Sequence, residues 1–245
     1  MAENGRTGNV DDPAVRAAVH SAVEMVRNGD KVGIGSGRAS TAFINALGQL
    51  VQQGLAAQCV AASEGSDNLA RSLGIPLIEL GEDVELDIIV DGADEVAPNL
   101  DLIKGWGGAL VRERIVASVA KRRVVMVSPE KLVKTLGERG RIPVEIIPLA
   151  RGCVSRQLKR LSLVPTLRLN KDGTPFVSDN HNLTLDCALT APLRDPAAAR
   201  ELEARLLKIP GVVETGLFLD WVDTVLVGRP DGTVDVLERR QRGNA

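Results

Sequence analysis

The chain has 245 residues, 44% of them hydrophobic and 25% charged, which suits one large α/β domain or a large domain carrying a smaller one. Its 30 basic and 32 acidic residues leave a net charge of −2 with no extended basic run, and 2% aromatic residues give bases little to stack on, so nucleic acid is excluded as a partner. Three separated cysteines (Cys59, Cys153, Cys187) argue against a disulfide framework or a CxxC site, and two histidines (His20, His181) exclude a multi-histidine metal centre.

No apolar run approaches the roughly 18–20 residues a bilayer requires, so no membrane association is expected and a reducing cytoplasm fits best. Residues 1–11 are polar and acidic and read as a frayed tail. Asp12-Pro13 then reads as a helix cap followed by a first-turn proline, and Val15, Val19, Ala22, Val23 and Val26 recur at helical spacing. KVGIGSG is a short strand entering a glycine turn, and 40–53 a helix with Phe43, Ile44, Leu47 and Leu50 on one face. AQCVAAS reads as a strand, DNLARSLG as a helix, 75–80 and LDIIVDGAD as strands, ALVRERIVASVA as a helix and RRVVMVS as a strand.

The texture changes over 137–148, where glycine, charge and two prolines gather. Beyond it, CVSRQLKRL reads as a helix, VPTLRLN, PFVSD and NLTLDCAL as strands, and DPAAARELEARLLKI as a helix. Strands at 223–228 and 233–238 flank the turn Arg229-Pro-Asp-Gly and are expected to return to the first domain. The fold class that follows is α/β: an open, mostly parallel, Rossmann-like sheet with helices on both faces, plus a smaller inserted α+β domain. The expected boundaries are 1–136 with 210–245 for the large domain and 137–209 for the small one. Ligands of such sheets bind beyond the carboxyl ends of the strands, so the turns after Ile34, Ala62, Val90 and Val127 are expected to converge on one crevice.

Two stretches carry candidate chemistry. DGADE places Asp91 and Asp94 at a strand end, where carboxylates can move protons, cap a turn, or hold Mg²⁺, although no third ligand is marked. LIKGWGGALVRERI sets Lys104 before Gly105, Gly107 and Gly108, then a helix with Glu113 one turn inside it. Glycines let the backbone approach a ligand, and a helix N-terminus offers unpaired N–H groups to an anion. A Lys/Glu pair taken alone is most simply structural; Asp91, Asp94, Lys104 and Glu113 within 23 residues are a rarer combination.

Together these stretches resemble the type A ribose-5-phosphate isomerases, whose pattern runs DGADE, a spacer, then KGGGxALxRE. The similarity continues through PVEIIPLA, SRQLKRL, IPGVVETGLF and VLVGRPDG. It implies interconversion of ribose 5-phosphate and ribulose 5-phosphate through an enediolate, without metal or cofactor, in a homodimer or homotetramer. By the same resemblance Glu113 is the base, Asp91 and Asp94 handle hydroxyl protons and ring opening, and Lys104 faces the developing oxyanion. Lys131 corresponds to a phosphate-side or substrate-contacting lysine, and Ser36, Gly37, Arg38, Ala39, Gly92, Ala93, Gly105, Trp106 and Gly107 to the substrate and phosphate contacts.

The departures are specific. The family's GTGST turn reads Gly35-Ser36-Gly37-Arg38-Ala39, so Arg38 either grips phosphate or is a surface side chain at a helix start. Ser40, Thr41 and Ser63 supply further hydroxyls nearby. Trp106 stands where the family has glycine and either turns to solvent or narrows the crevice. The family's amino-terminal lysine is replaced by Val15 or Arg16, and His181 replaces a turn glycine, a structural change since histidine tolerates positive φ. Two other readings stay open: a divergent isomerase of another phosphorylated or acidic aldose, and a non-catalytic sugar-phosphate sensor.

Overall fold

Apolar periodicity sets the order of elements in the computed structural model, which describes residues 12–239. The segment read as a tail, 1–11, lies outside them. Helix α1 (Pro13–Glu24) starts as expected, with Asp12 Oδ1 accepting from the Ala14 N–H at 2.9 Å and proline in the first turn. Then come β1 (Lys31–Ile34), α2 (Gly37–Gln52), β2 (Gln58–Ala61), α3 (Glu64–Ser72) and β3 (Ile88–Gly92). A short hairpin, β4 (Glu95–Val96) and β5 (Leu102–Ile103), leads to α4 (Leu110–Ser118) and β6 (Arg123–Val127). The next run is β7 (Arg141–Ile146), α5 (Arg151–Arg160), β8 (Leu163–Leu167), β9 (Leu183–Leu189), α6 (Pro196–Leu207) and β10 (Val212–Thr215). The last strands described are β11 (Leu217–Phe218), β12 (Thr224–Gly228) and β13 (Val234–Glu238).

Six strands form the main sheet in the order β13-β12-β6-β3-β1-β2, all parallel except the β12–β13 hairpin. Alternation decides its two faces. Val32, Ile34, Ile88 and Val90 pack with α1 and α2, whereas Ile89 packs on the other side with Val116 of α4. Burial on both faces is why these strands read as continuous apolar runs.

A second, antiparallel sheet has the order β10-β7-β9-β8 and a core of its own with α5 and α6. This corrects the expected boundary at 209/210, because Val212–Thr215 pairs with β7 and carries the smaller sheet on to residue 215. It also assigns 141–146, read from sequence only as a change of texture, to a strand with neighbours on both sides. Pro143 obscured it, yet the β10 pairing spans only Val144 to Ile146, so the missing N–H costs that ladder nothing. Residues 75–80 make a single bridge, Cys59 to Leu77, and Pro175 and Val177 likewise make isolated bridges rather than a strand. A third sheet, β11-β5-β4, has no counterpart among the sequence expectations, because each of its strands is two residues long and too short to show a period. Among the described residues no helix is long and apolar enough to cross a membrane.

Two outcomes are expected from this packing. A Cβ added at Gly228 would lie 1.8 Å from the Ala14 carbonyl oxygen, so Gly228→Ala should force α1 off β12 and cost roughly 1–3 kcal/mol in a urea titration. Burial pushes the Cys59 and Cys187 thiols up to about 12, while Cys153 is exposed on α5. Thiol titration at pH 8 should therefore label Cys153 in the native protein and the other two only after unfolding.

Candidate active site

The hairpin explains how residues far apart in sequence meet. Glu95 pairs with Ile103 and Val96 with Leu102, so the next positions outward, Asp94 and Lys104, stand side by side at the carboxyl end of β3. The Asp94 N–H donates to the Ile103 carbonyl, and the Lys104 N–H to that of Gly216, fixing both backbones. On α4, Leu110, Glu113 and Val116 share one buried face at helical spacing. Glu113 is the polar interruption of that face.

Asp91, Lys104 and Glu113 are 4%, 5% and 4% exposed, so their charges must be matched by one another. Lys104 Nζ lies 2.8 Å from Asp91 Oδ2 and 3.1 Å from Glu113 Oε2, and donates to the Gly92 carbonyl at 2.6 Å. The Lys104–Glu113 contact is an ion pair off the hydrogen-bonding direction, and Glu113 Oε2 has no hydrogen-bond partner of good geometry. Glu113 Oε1 accepts a short hydrogen bond from Ser36 Oγ. Asp91 Oδ1 accepts from the Ser36 N–H (3.1 Å), Ser40 Oγ (3.0 Å) and the Gly92 N–H (2.7 Å). Gly35 is obligatory here, since a Cβ on it would sit 1.9 Å from that oxygen.

Burial, reinforced by the Asp91 charge, pushes the Glu113 carboxyl up to about 7 against the opposing pull of Lys104 and Ser36. Burial alone would lower the Lys104 ammonium, but Asp91 and Glu113 outweigh it and hold it above the usual lysine range. Burial also raises Asp94, with the Trp106 N–H, which donates to Asp94 Oδ2 at 2.9 Å, and the nearby Lys131 opposing.

Asp94, Lys104 and Glu113 border an open cleft. As expected, the turn after Ile34 contributes Ser36, Gly37, Arg38 and Ala39; the turn after Val90 contributes Gly92, Ala93 and Asp94; the turn after Val127 contributes Ser128, Glu130 and Lys131. Lys104, Gly105, Gly107 and Glu113 complete the inner wall. The turn after Ala62 stays behind, buttressing the first through Ser66 Oγ, which donates to the Gly35 carbonyl at 2.6 Å. Ser63 caps α3 instead of facing the cleft. Asp91 lies beneath the lining, gripped by Lys104.

At the mouth, Lys131 is lowered chiefly by burial, then by the neighbouring charge of Arg139, with a smaller effect from Arg38. Trp106 is not among the lining residues. Its indole N–H donates to the Arg141 carbonyl at 3.1 Å, and its ring lies between 4.9 and 5.8 Å from the cationic groups of Arg141, Arg139 and Lys131. His181 has φ +61°, in the left-handed region, as its place in a turn implied. Arg168, which sequence reasoning missed, donates from the smaller sheet to the Gly105 and Trp106 carbonyls at 3.0 and 3.2 Å. Nothing local marks it, because its target is backbone about 60 residues away.

A buried carboxyl beside a buried ammonium, in a cleft also lined by Arg38 and Lys131, is an arrangement that can transfer protons and attract an anion. Residues 58–232 match the family described as ribose 5-phosphate isomerase A (phosphoriboisomerase A). The chain belongs to this family of aldose–ketose isomerases. It is 43% identical over 223 residues to ribose-5-phosphate isomerase A of Roseiflexus sp. (strain RS-1), covering 90% of this chain and 94% of that one. With the protein of the same name from Parvibaculum lavamentivorans it shares 42% over 236 residues, covering 94% and 99%. The solved ribose 5-phosphate isomerase A of Methanocaldococcus jannaschii superimposes with a TM-score of 0.85 at 38% identity, over 94% of this chain and 100% of that one. A D-ribose-5-phosphate isomerase in complex with phospho-erythronic acid gives 0.87 at 34% identity, also over 94% and 100%.

The raised Glu113 carboxyl ties stability to pH. Its ordinary value is 4.5 and its folded value about 7, so between them the folded chain holds a proton that the unfolded chain has released. Stability is therefore lost as pH rises through that window. Glu113→Gln should be more stable than wild type at pH 8 by on the order of 1–3 kcal/mol, with the gap closing by pH 4. Urea titrations at the two pH values read this directly.

Proposed function

We propose that this chain interconverts D-ribose 5-phosphate and D-ribulose 5-phosphate, with Glu113 as the base that carries hydrogen between C1 and C2. The observation that carries the reading is the Glu113 carboxyl, buried at the cleft wall against Lys104 and raised to about 7, where a base for neutral pH should lie.

In the open-chain aldose, Glu113 removes the C2 proton and the electron pair moves through C1 to O1, giving an enediolate. Lys104, already charged and desolvated, faces the oxygen that gains charge, so little reorganisation is needed as the barrier is crossed. The O2 proton passes to O1, and Glu113 returns its own proton to C1, leaving the ketose. Asp91 is committed to Lys104, Ser36, Ser40 and Gly92, which suits holding the lysine in place. Asp94 lines the cleft with one oxygen engaged by the Trp106 N–H, so it is the better carrier of hydroxyl protons and the better acid–base group for ring opening.

The phosphate fits the first turn. Ser36 is the N-cap of α2 but makes no side-chain cap bond, because its hydroxyl is turned to Glu113. The first N–H groups of a 16-residue helix are thereby left to an anion beside Arg38 and Lys131. Phospho-erythronic acid, bound by a structural relative, combines a phosphate with a carboxylate that imitates the charge of the enediolate. It is expected to compete with substrate here.

A coupled assay on ribose 5-phosphate, beside a panel of other pentose and hexose phosphates, tests the reading. Glu113→Gln should lower kcat roughly 10²–10⁴-fold with intact folding. Wild-type kcat/KM should rise with pH through about 7, as the base loses its proton, and this limb should be absent from any residual Glu113→Gln activity. Arg38→Ala and Lys131→Ala should raise KM more than they lower kcat. Turnover of another aldose phosphate in preference to ribose 5-phosphate would overturn the substrate, and full activity in Glu113→Gln would overturn the base.

A further inference from the structure

The glycine loop that joins Lys104 to the helix of Glu113 is held from outside its own sheet. Arg168 follows β8 and is about nine-tenths buried, with a side-chain exposure of 10%. Its guanidinium donates to the Gly105 and Trp106 carbonyls, and its remaining N–H groups grip both oxygens of Asp186 on β9. Asp186 lies 3.6 Å from Arg141 as well, and Arg141 lies over the Trp106 ring while its carbonyl accepts from the Trp106 indole. Beneath the loop, Phe176 fills the space at Gly108, where an added Cβ would meet its ring at 2.3 Å. Arg168 also lies 5.5 Å over that ring.

We infer that Arg168, oriented by Asp186, is a positioning residue for the isomerase reaction: from the smaller sheet it fixes the 105–108 loop and so sets Lys104 against Glu113. The inference rests on the isomerase reading above and adds to it that the smaller sheet is part of the working site. Arginine is required by geometry. Two loop carbonyls and a carboxylate must be satisfied by one planar fork, which a lysine ammonium cannot reproduce. The loop is backbone-rich and carries positive φ at Gly105 (+96°) and Gly108 (+94°), so its own side chains provide little restraint. When it loosens, water reaches Glu113 and relieves the desolvation that is the largest cause of its raised value.

Arg168→Met, Arg168→Lys and Asp186→Asn are compared with wild type on ribose 5-phosphate, with Arg229→Met, which removes an exposed pair with Asp235 and does not line the cleft, as a control. Arg168→Met is expected to lose roughly 10- to 100-fold in kcat with KM within about 2-fold, since misplacement by an ångström costs this much. Its acid limb should move below the wild-type position. Arg168→Lys should recover only part of the rate, Asp186→Asn should fall between, and Arg229→Met should match wild type. A second readout needs no turnover. Of the two tryptophans only Trp106 lies on the loop, so in a Trp221→Phe background its emission should shift to the red and become more accessible to acrylamide when Arg168 is replaced. An inactive wild type would sink the isomerase reading while the fluorescence still judges the clamp. A wild-type acid limb and unchanged Trp106 quenching in Arg168→Met, or full rescue by lysine, would overturn the clamp itself.

Discussion

One ammonium between two buried carboxylates governs this structure. Lys104 pairs with Asp91 and Glu113, and neither acid has enough water around it to ionise cheaply without that cation. The triad carries one more acid than base, and the surplus falls on the group with the fewest hydrogen bonds. Asp91 accepts three besides its lysine; Glu113 has one hydroxyl and an oxygen without a well-aligned donor. The asymmetry leaves Glu113 as the carboxyl that burial raises to about 7, though both acids touch the same lysine.

The surrounding architecture serves that asymmetry. Gly35 has no side chain because the Asp91 carboxylate occupies the space one would take. The β4–β5 hairpin sets Asp94 beside Lys104, and α4 turns Glu113 inward on a face that is otherwise apolar. Ser36 joins two parts of the cleft, since its hydroxyl donates to Glu113 and therefore does not cap the helix it begins. These are departures from local preference — a polar residue on a core face, a cap residue that does not cap — and they coincide with the site.

Much of this was legible in the sequence, and the gaps have physical causes. Strands buried on both faces announce themselves as apolar runs, so β1, β3 and β6 and the crevice at their ends could be read directly. Asp91, Asp94, Lys104 and Glu113 are close in sequence, and their glycine spacing is unusual. Apart from the return of β12 and β13 to the main sheet, what is set by distant pairing could not be read. Strand β7 hides behind Pro143; β4, β5 and β11 are too short to show a period; β10 follows a Pro-Gly turn that looks like a domain boundary. The direction of the Glu113 shift was also beyond the sequence, because it depends on how far burial outweighs a lysine whose distance only the fold supplies. Trp106 offered two orientations by residue type alone, and the arginines on β7 and its approach place it at the rim.

The path of the chain has a consequence for how the protein comes into being. Lys104 receives its backbone restraint from Gly216, Arg114 reaches the Leu217 carbonyl across 103 residues, and β12 lies between β6 and β13 in the main sheet. A nascent chain that has passed only its glycine loop therefore has the chemical groups but neither the strand that closes the sheet nor the carbonyl that seats the lysine. During synthesis the triad therefore cannot be seated until the segment through β12 has left the ribosome, so the site is among the later parts of the fold to be completed.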